Sequence, residues 1–472
     1  MAQQHLERLS AVDASFLANE GPTSHMHVGA VVILEGPPPP FEEFLDGLRA
    51  RLHLVPRYRQ KLAEHPGGRP LWVDDPDFNL EYHVRQTALP KPGSENQLMR
   101  LAARIMSQQL DRTKPLWEVW LVEGLSDGRL AMISKTHHAL IDGVSGVDLA
   151  TVMFDLSPVP RDLTEETAGL QAWTPAPEPS PAELVAGGVA GLARTGLGLA
   201  AGALGALSRP GQTLAQAREA AEGLGEIVWA GLNPAPDTPL NVEIGPHRRF
   251  AGVRCELADF KAVKDAFGGT VNDVVLTVVS GALREWLQSR GARTEGLEMR
   301  ALVPVSIRGA HEHGQLGNRI AAMRGPLPVY VDDPLARLAV VREAMDGLKE
   351  SKQAIGAEVM ANVQNFAPPT VLAQAARINF STRLFNLIVT NVPGPQFPLY
   401  VRGREMLDVF PVAFLPKDHA LAIAIMSYNG GLNFGLLGDF DAMPDIEDFA
   451  DGLREALAEL VALAGRERAV SA

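Results

Sequence analysis

The chain has 472 residues, 46% hydrophobic and 21% charged, the balance of a soluble globular protein too long for one ordinary core. Its formal charge of −13 excludes nucleic acid as the main partner, because phosphate binding needs a basic surface, and leaves any membrane contact to local apolar surface. A single cysteine, Cys255, excludes an internal disulfide and points to a reducing compartment.

In chain order, the start Met1-Ala2-Gln3-Gln4-His5-Leu6-Glu7-Arg8 lacks a basic segment followed by an apolar core and does not read as a signal peptide. Residues 41–62 predict a helix with Phe44, Leu45, Leu48 and Leu52 on one side. Residues 96–110 predict a second helix, and 116–122 and 129–136 predict strands, the latter alternating Leu130, Met132 and Ser134 with partners facing the other way. Val144, Val147, Thr151 and Phe154 recur with helical spacing over 144–154. His137 and His138 therefore fall at a strand end, a rigid place that opens onto a crevice.

The run Trp173-Thr174-Pro175-Ala176-Pro177-Glu178-Pro179-Ser180-Pro181 reads as an extended linker. The Ala/Gly/Leu segment 184–207 after it has two readings, a helix that touches lipid or one packed on its own protein through its glycines. Its longest uncharged stretch, 195–208, falls short of the ~20 apolar residues that a membrane span needs. From about Asn241 a second α/β region begins, with helices over 259–267 and 271–287 and strands over 301–307 and 385–391. Residues 420–428 and 432–437 flank Asn429-Gly430-Gly431, a hairpin signal, and 446–463 predict a closing amphipathic helix. The chain divides accordingly into 1–172, a linker region 173–240, and 241–472.

The chemistry concentrates in His137-His138-Ala139-Leu140-Ile141-Asp142-Gly143. Neighbouring histidines in an extended segment face opposite ways, so one of them can serve a given reaction centre. Asp142 stands where it can orient an imidazole or anchor the strand end, and Gly143 permits a tight turn. The residues alone leave three readings of His138: a general base, a metal ligand or a hydrogen-bonded core residue. No H-E-x-x-H and no G-x-S-x-G run occurs, which weakens metal and serine-hydrolase readings. Ser145 reads as a cap of the following helix and Cys255 as a small core residue.

The H-H-x-x-x-D-G run resembles the signature of the chloramphenicol-acetyltransferase-like superfamily, and chance gives it in only about one chain in a thousand of this length. The whole chain resembles the bacterial wax ester synthase/acyl-CoA:diacylglycerol acyltransferase family. The matching stretches include Leu9-Ser10-Ala11-Val12-Asp13-Ala14-Ser15-Phe16-Leu17, Met26-His27-Val28-Gly29-Ala30 and Val55-Pro56-Arg57-Tyr58-Arg59-Gln60-Lys61-Leu62. Pro115-Leu116-Trp117, Asn272-Asp273, Val303-Pro304-Val305-Ser306-Ile307-Arg308, Gly317-Asn318 and Asn391-Val392-Pro393-Gly394-Pro395 continue it in order. One departure is Ser24-His25 before Met26-His27, where Thr-Pro or Ser-Pro is commoner; it leaves acceptor specificity open.

The resemblance implies an α/β fold of mixed sheets, with two chloramphenicol-acetyltransferase-like domains and a channel between them. It implies an O-acyltransferase in which His138 is the general base, His137 supports it and no acyl-enzyme forms. Donor and acceptor would be acyl-CoA and diacylglycerol or a long-chain alcohol, with no cofactor and no metal. Asp142 and Gly143 become structural members of the motif, with Arg308 as the expected partner of Asp142. Asn272 is a candidate to orient the thioester oxygen, or simply a helix N-terminal residue. Trp117 is expected in the core; Arg57, Arg59 and Lys61 are expected on a solvated helix face, with CoA phosphates as the alternative. The expected location is cytoplasmic, peripheral on the inner membrane face or on lipid droplets. The rivals are another thioester donor or alcohol acceptor within the same superfamily and, more remotely, a non-catalytic lipid-coat protein.

Overall fold

The computed structural model describes residues 7–64, 69–141, 152–163, 167–170, 172–177, 180, 233–306, 320–350 and 380–471. The expected helix over 144–154 (apart from its last residues), the motif residues Asp142 and Gly143, Arg308 and the segment 184–207 lie outside them.

The strands of the first half are β1 (Glu7–Arg8), β2 (His27–Leu34), β3 (Gln60–Ala63), β4 (Leu71–Asp74), β5 (Val84–Ala88), β6 (Trp117–Glu123) and β7 (Leu130–His137). Those of the second are β8 (Arg248–Glu256), β9 (Met299–Ser306), β10 (Ile320–Leu327), β11 (Leu387–Pro393), β12 (Tyr400–Val401), β13 (Arg404–Val412), β14 (Leu421–Tyr428) and β15 (Gly431–Asp439). They form a six-stranded sheet β12-β13-β2-β7-β6-β5, a second six-stranded sheet β10-β9-β11-β14-β15-β8, and a small sheet β1-β4-β3. Both large sheets mix parallel and antiparallel pairs: β5–β6, β9–β11 and β11–β14 are parallel.

The division of the chain is not followed by its sheets at one place. β12 and β13, far along the second half, pair within the first sheet, where β13 runs antiparallel to β2 from Met406 opposite Leu34 to Val412 opposite Gly29. The stretch 400–412 thus belongs spatially with the region expected to end at residue 172. The physical reason is that β2 is apolar on both faces and its outer edge needs a hydrogen-bonding partner. Val31 and Ile33, with Ala131 and Ile133 of β7, enter one core, which continues through the helix Glu95–Met106 into Phe250, Phe410 and Phe434 of the second half. Val32 and Leu34, with Leu130 and Met132, enter another, packed with Leu45, Leu48 and Trp117. β7 is buried on both sides, as a central strand should be.

Most elements match their sequence signals. The helices Glu95–Met106, Leu257–Phe267, Val271–Ser289 and Ile446–Ser471 are present. Asn429 and Gly430 both take positive φ (42° and 90°), the backbone of a tight two-residue hairpin turn between β14 and β15.

The expected helix over 41–62 is corrected: the α-helix spans Phe41–Arg51, followed by the short turns Leu52–Leu54 and Pro56–Arg59 and then β3. Pro56 has no N–H to continue the ladder. Arg57, Arg59 and Lys61 consequently do not sit on a solvated helix face. Arg57 is buried with its guanidinium 4.9 Å from the Trp72 ring centroid, Arg59 lies 4.6 Å from that of Trp173, and Lys61 faces Asp75 at 3.7 Å. Trp173 of the linker is thereby fastened to the first half, and Ala176 donates its N–H to Asp74 at 3.0 Å. Trp117 is in the core as expected, 1% exposed, donating Nε1–H to the Tyr58 carbonyl at 2.7 Å.

Candidate active site

β7 delivers the histidine pair, and its end is held on both sides. His137 donates its N–H to the Leu116 carbonyl at 2.9 Å beside β6, and His138 donates its own to the Met26 carbonyl at 2.8 Å beside β2. The strand stops at His137 and the short helix His138–Ile141 begins. The His137 ring makes that turn possible: its Nδ1 accepts the Ala139 N–H at 3.1 Å, satisfying a donor that the new helix leaves open. Nδ1 is therefore unprotonated, and the ring proton resides on Nε2.

The two rings then part. His137 is fully buried, with Nε2 3.7 Å from the Glu20 carboxylate, while the same carboxylate lies 3.3 Å from His27 Nε2 and accepts from Arg112 Nε at 2.8 Å. Burial pushes the His137 pKa down to about 3, against the pull of Glu20, and lowers that of His27 well below its ordinary value. Both are neutral structural imidazoles. Lys135, one turn of pleat earlier on the His137 side, is also buried and pairs with Glu118 at 3.1 Å.

His138 faces an apolar wall. The Phe16 ring stacks on its imidazole at 3.9 Å between centroids and 26° between planes, and Phe414 meets it edge-on at 5.6 Å. Phe380 closes against both phenyl rings, 5.9 Å from Phe16 and 5.7 Å from Phe414. Burial lowers the His138 pKa to about 4, opposed by the negative charge of Asp13 and by its own backbone carbonyl. At neutral pH the ring is uncharged and able to take a proton.

Asp13, Phe16 and Glu20 come from one segment, the helix Ala11–Asn19 and its C-terminal cap. Ser10 begins it: its hydroxyl accepts the Asp13 N–H at 3.0 Å and donates to the Asp13 carboxylate at 2.7 Å. In the sequence this stretch stands out only as part of a family pattern. The missed signal was an acid and a phenylalanine three residues apart, hence on one helix face.

Asn272 lies on the first turn of the helix Val271–Ser289, half-buried. The capping box around it uses Asp273, whose carboxylate accepts the Thr270 N–H at 2.7 Å, so that aspartate is architectural. The structure thus joins His137 and His138 to the first helix, and sets Asn272 on a helix of the second half. Cys255 lies on β8 with its thiol pKa raised to about 11 by burial, consistent with a core residue.

Residues 9–275 match the model of the wax ester synthase/diacylglycerol acyltransferase catalytic domain, and 316–461 that of the C-terminal domain of the same family. A protein named a probable diacylglycerol O-acyltransferase in Mycobacterium tuberculosis is 34% identical over 469 residues, spanning 98% of this chain and 97% of its own. A second protein so named from that organism is 35% identical over 466 residues, 95% of this chain and 97% of its own. Among solved structures, the wax ester synthase/diacylglycerol acyltransferase of Marinobacter aquaeolei superposes with a TM-score of 0.67 at 29% identity, covering 97% of this chain and all (100%) of that one. The first condensation domain of the calcium-dependent antibiotic synthetase shares the fold at 18% identity, with a TM-score of 0.60 over 98% of this chain and 96% of that one. With both family models and full-length relatives in agreement, the chain belongs to the wax ester synthase/diacylglycerol acyltransferase family of acyltransferases.

Proposed function

We propose that the protein transfers a long-chain acyl group from acyl-CoA to the hydroxyl of diacylglycerol, or of a fatty alcohol, with His138 as the general base. The observation that carries this reading is the state of His138: a neutral imidazole at a doubly anchored strand end, with the Phe16 ring stacked on it and the Asp13 charge acting on it. The acceptor hydroxyl gives its proton to the imidazole while its oxygen attacks the thioester carbonyl carbon. The tetrahedral oxyanion collapses, the C–S bond breaks, and the CoA thiolate recovers the proton from the imidazolium. No acyl-enzyme is required. General-base help contributes ~10²–10⁴-fold, so alignment of the reactants and stabilisation of the oxyanion supply the rest. Asn272 is a candidate for that second task. His137 supports the base by shaping the turn that presents it. Asp142, Gly143 and Arg308 keep the structural part that the motif implies.

The reaction consumes acyl-CoA as a substrate and needs no further cofactor. Its acceptors are membrane-dissolved, which favours peripheral work at a cytoplasmic membrane face or a lipid droplet. The test is release of CoA from a long-chain acyl-CoA with diacylglycerol and hexadecanol offered in competition. His138→Ala should lose at least ~10²-fold of this release while keeping its far-UV circular dichroism. Retained turnover in the folded variant sinks the base assignment.

A further inference from the structure

One helix braces both histidines, from opposite sides. Its C-terminal cap residue, Glu20, sets its carboxylate 3.7 Å from His137 Nε2, and four residues earlier Phe16 lies flat on His138. The Glu20 N–H bonds to the Phe16 carbonyl at 3.1 Å, so the two contacts belong to one turn. The helix itself is fixed at its start by Ser10 and Asp13. Phe16 is 8% exposed and Phe380 packs behind it, which leaves its ring little room to turn.

We propose that Phe16 is a positioning residue for the acyl transfer: its stacked ring holds the His138 imidazole in the plane from which it takes the acceptor's proton. The inference rests on the base reading of His138 given above. Backbone bonds fix where the His138 main chain lies, while the setting of the imidazole depends on what the ring itself touches. A stacked ring at 3.9 Å and an edge-on ring at 5.6 Å restrict its rotation from two directions. Proton transfer depends on heavy-atom distance and alignment, so a tilted ring slows the step without weakening substrate binding. A phenylalanine that merely walled the acyl chain would instead act on binding and on chain-length preference.

The experiment compares the wild type, Phe16→Leu, Phe16→Tyr and His138→Ala in steady-state CoA release with a long-chain acyl-CoA and diacylglycerol. Thermal unfolding is measured beside it. Phe16→Leu keeps apolar volume and removes the stack. Its kcat should fall by about ten- to a hundredfold with both KM values within twofold of wild type. Phe16→Tyr, which keeps a ring, should return most of the lost kcat. In protein with 13C-labelled histidine, the Cε1–H resonance of His138, assigned by its loss in His138→Ala, should move in Phe16→Leu and stay near its place in Phe16→Tyr. A wild-type kcat in folded Phe16→Leu, or a loss carried wholly by KM, overturns the positioning role. Those results with His138→Ala inactive leave the base reading standing, whereas an active His138→Ala removes the base reading and this inference with it.

Discussion

His137 Nδ1 accepts the N–H of Ala139 at 3.1 Å, so the first histidine of the pair serves the peptide that follows the second. Removing that ring leaves a buried donor without its partner, at a cost of about 1–3 kcal/mol before any cavity is counted. His137→Ala should therefore lower the urea midpoint clearly. Its residual kcat should exceed that of His138→Ala, because the proposed base remains. Equal and complete loss in both variants, with the His137 variant as stable as wild type, contradicts the division of roles.

Burial holds several imidazoles neutral, with the pKa of His137 lowered to about 3 and those of His83 and His138 to about 4. In the unfolded chain each titrates near its ordinary value of 6.5. Their contribution to stability is complete above that value and is lost as the pH falls from 6.5 towards about 4, or about 3 for His137, where the unfolded chain binds protons that the folded one refuses. Each contributes a slope of up to ~1.4 kcal/mol per pH unit in that window. Urea unfolding at pH 7.5, 6 and 5 should show stability falling with acidity, and a flat profile counts against it. Initial rates should show no histidine-like acid limb near 6.5, since His138 stays neutral below it.

Gly435 of β15 lies against β13 so closely that a Cβ there would stand 1.7 Å from the Pro411 carbonyl oxygen. This is where the two large sheets touch, three residues before Phe414. Gly435→Ala has to push backbone from backbone, costing about 1–3 kcal/mol or more. The expected result is a lower unfolding temperature together with a reduced kcat, because the segment that carries Phe414 moves too. A variant with wild-type stability refutes the close approach.

Lys135 is buried with Glu118 at 3.1 Å and also donates to the Ile105 carbonyl at 2.9 Å, closing the end of the helix Glu95–Met106. Lys135→Met leaves the buried Glu118 carboxylate to Arg85, 3.4 Å away, and should cost about 1–3 kcal/mol in chemical unfolding. Adding Glu118→Gln should recover part of that loss. A double variant no better than the single one rejects the pairing as the source.

Much of this was legible because it is local. The strand-then-turn pattern put His137 and His138 at the end of β7, and the Asn429-Gly430 pair announced its hairpin. Pro56 misled only when helical periodicity was allowed to run past it. What periodicity cannot carry is pairing at long range. Nothing near residues 404–412 says that they complete a sheet begun at residue 27. The same limit hid the ring contacts of His138, since Phe16 and Phe414 lie in distant stretches that meet it only through tertiary packing. Asp13 and Glu20 drew no attention as single acids; burial and neighbours give them their meaning.

The placement of β13 also bears on how the protein is made. During synthesis β2 meets β7 early, but the strand that covers its other edge is translated only after most of the chain. Until then Val31, Val32, Ile33 and Leu34 border an open row of amides and carbonyls, a template for any other nascent chain. Ribosome-bound intermediates truncated before residue 404 should therefore depend on chaperones more than full-length chains do, and a gene split between the two sheets should yield an N-terminal fragment that aggregates unless the later fragment is co-expressed.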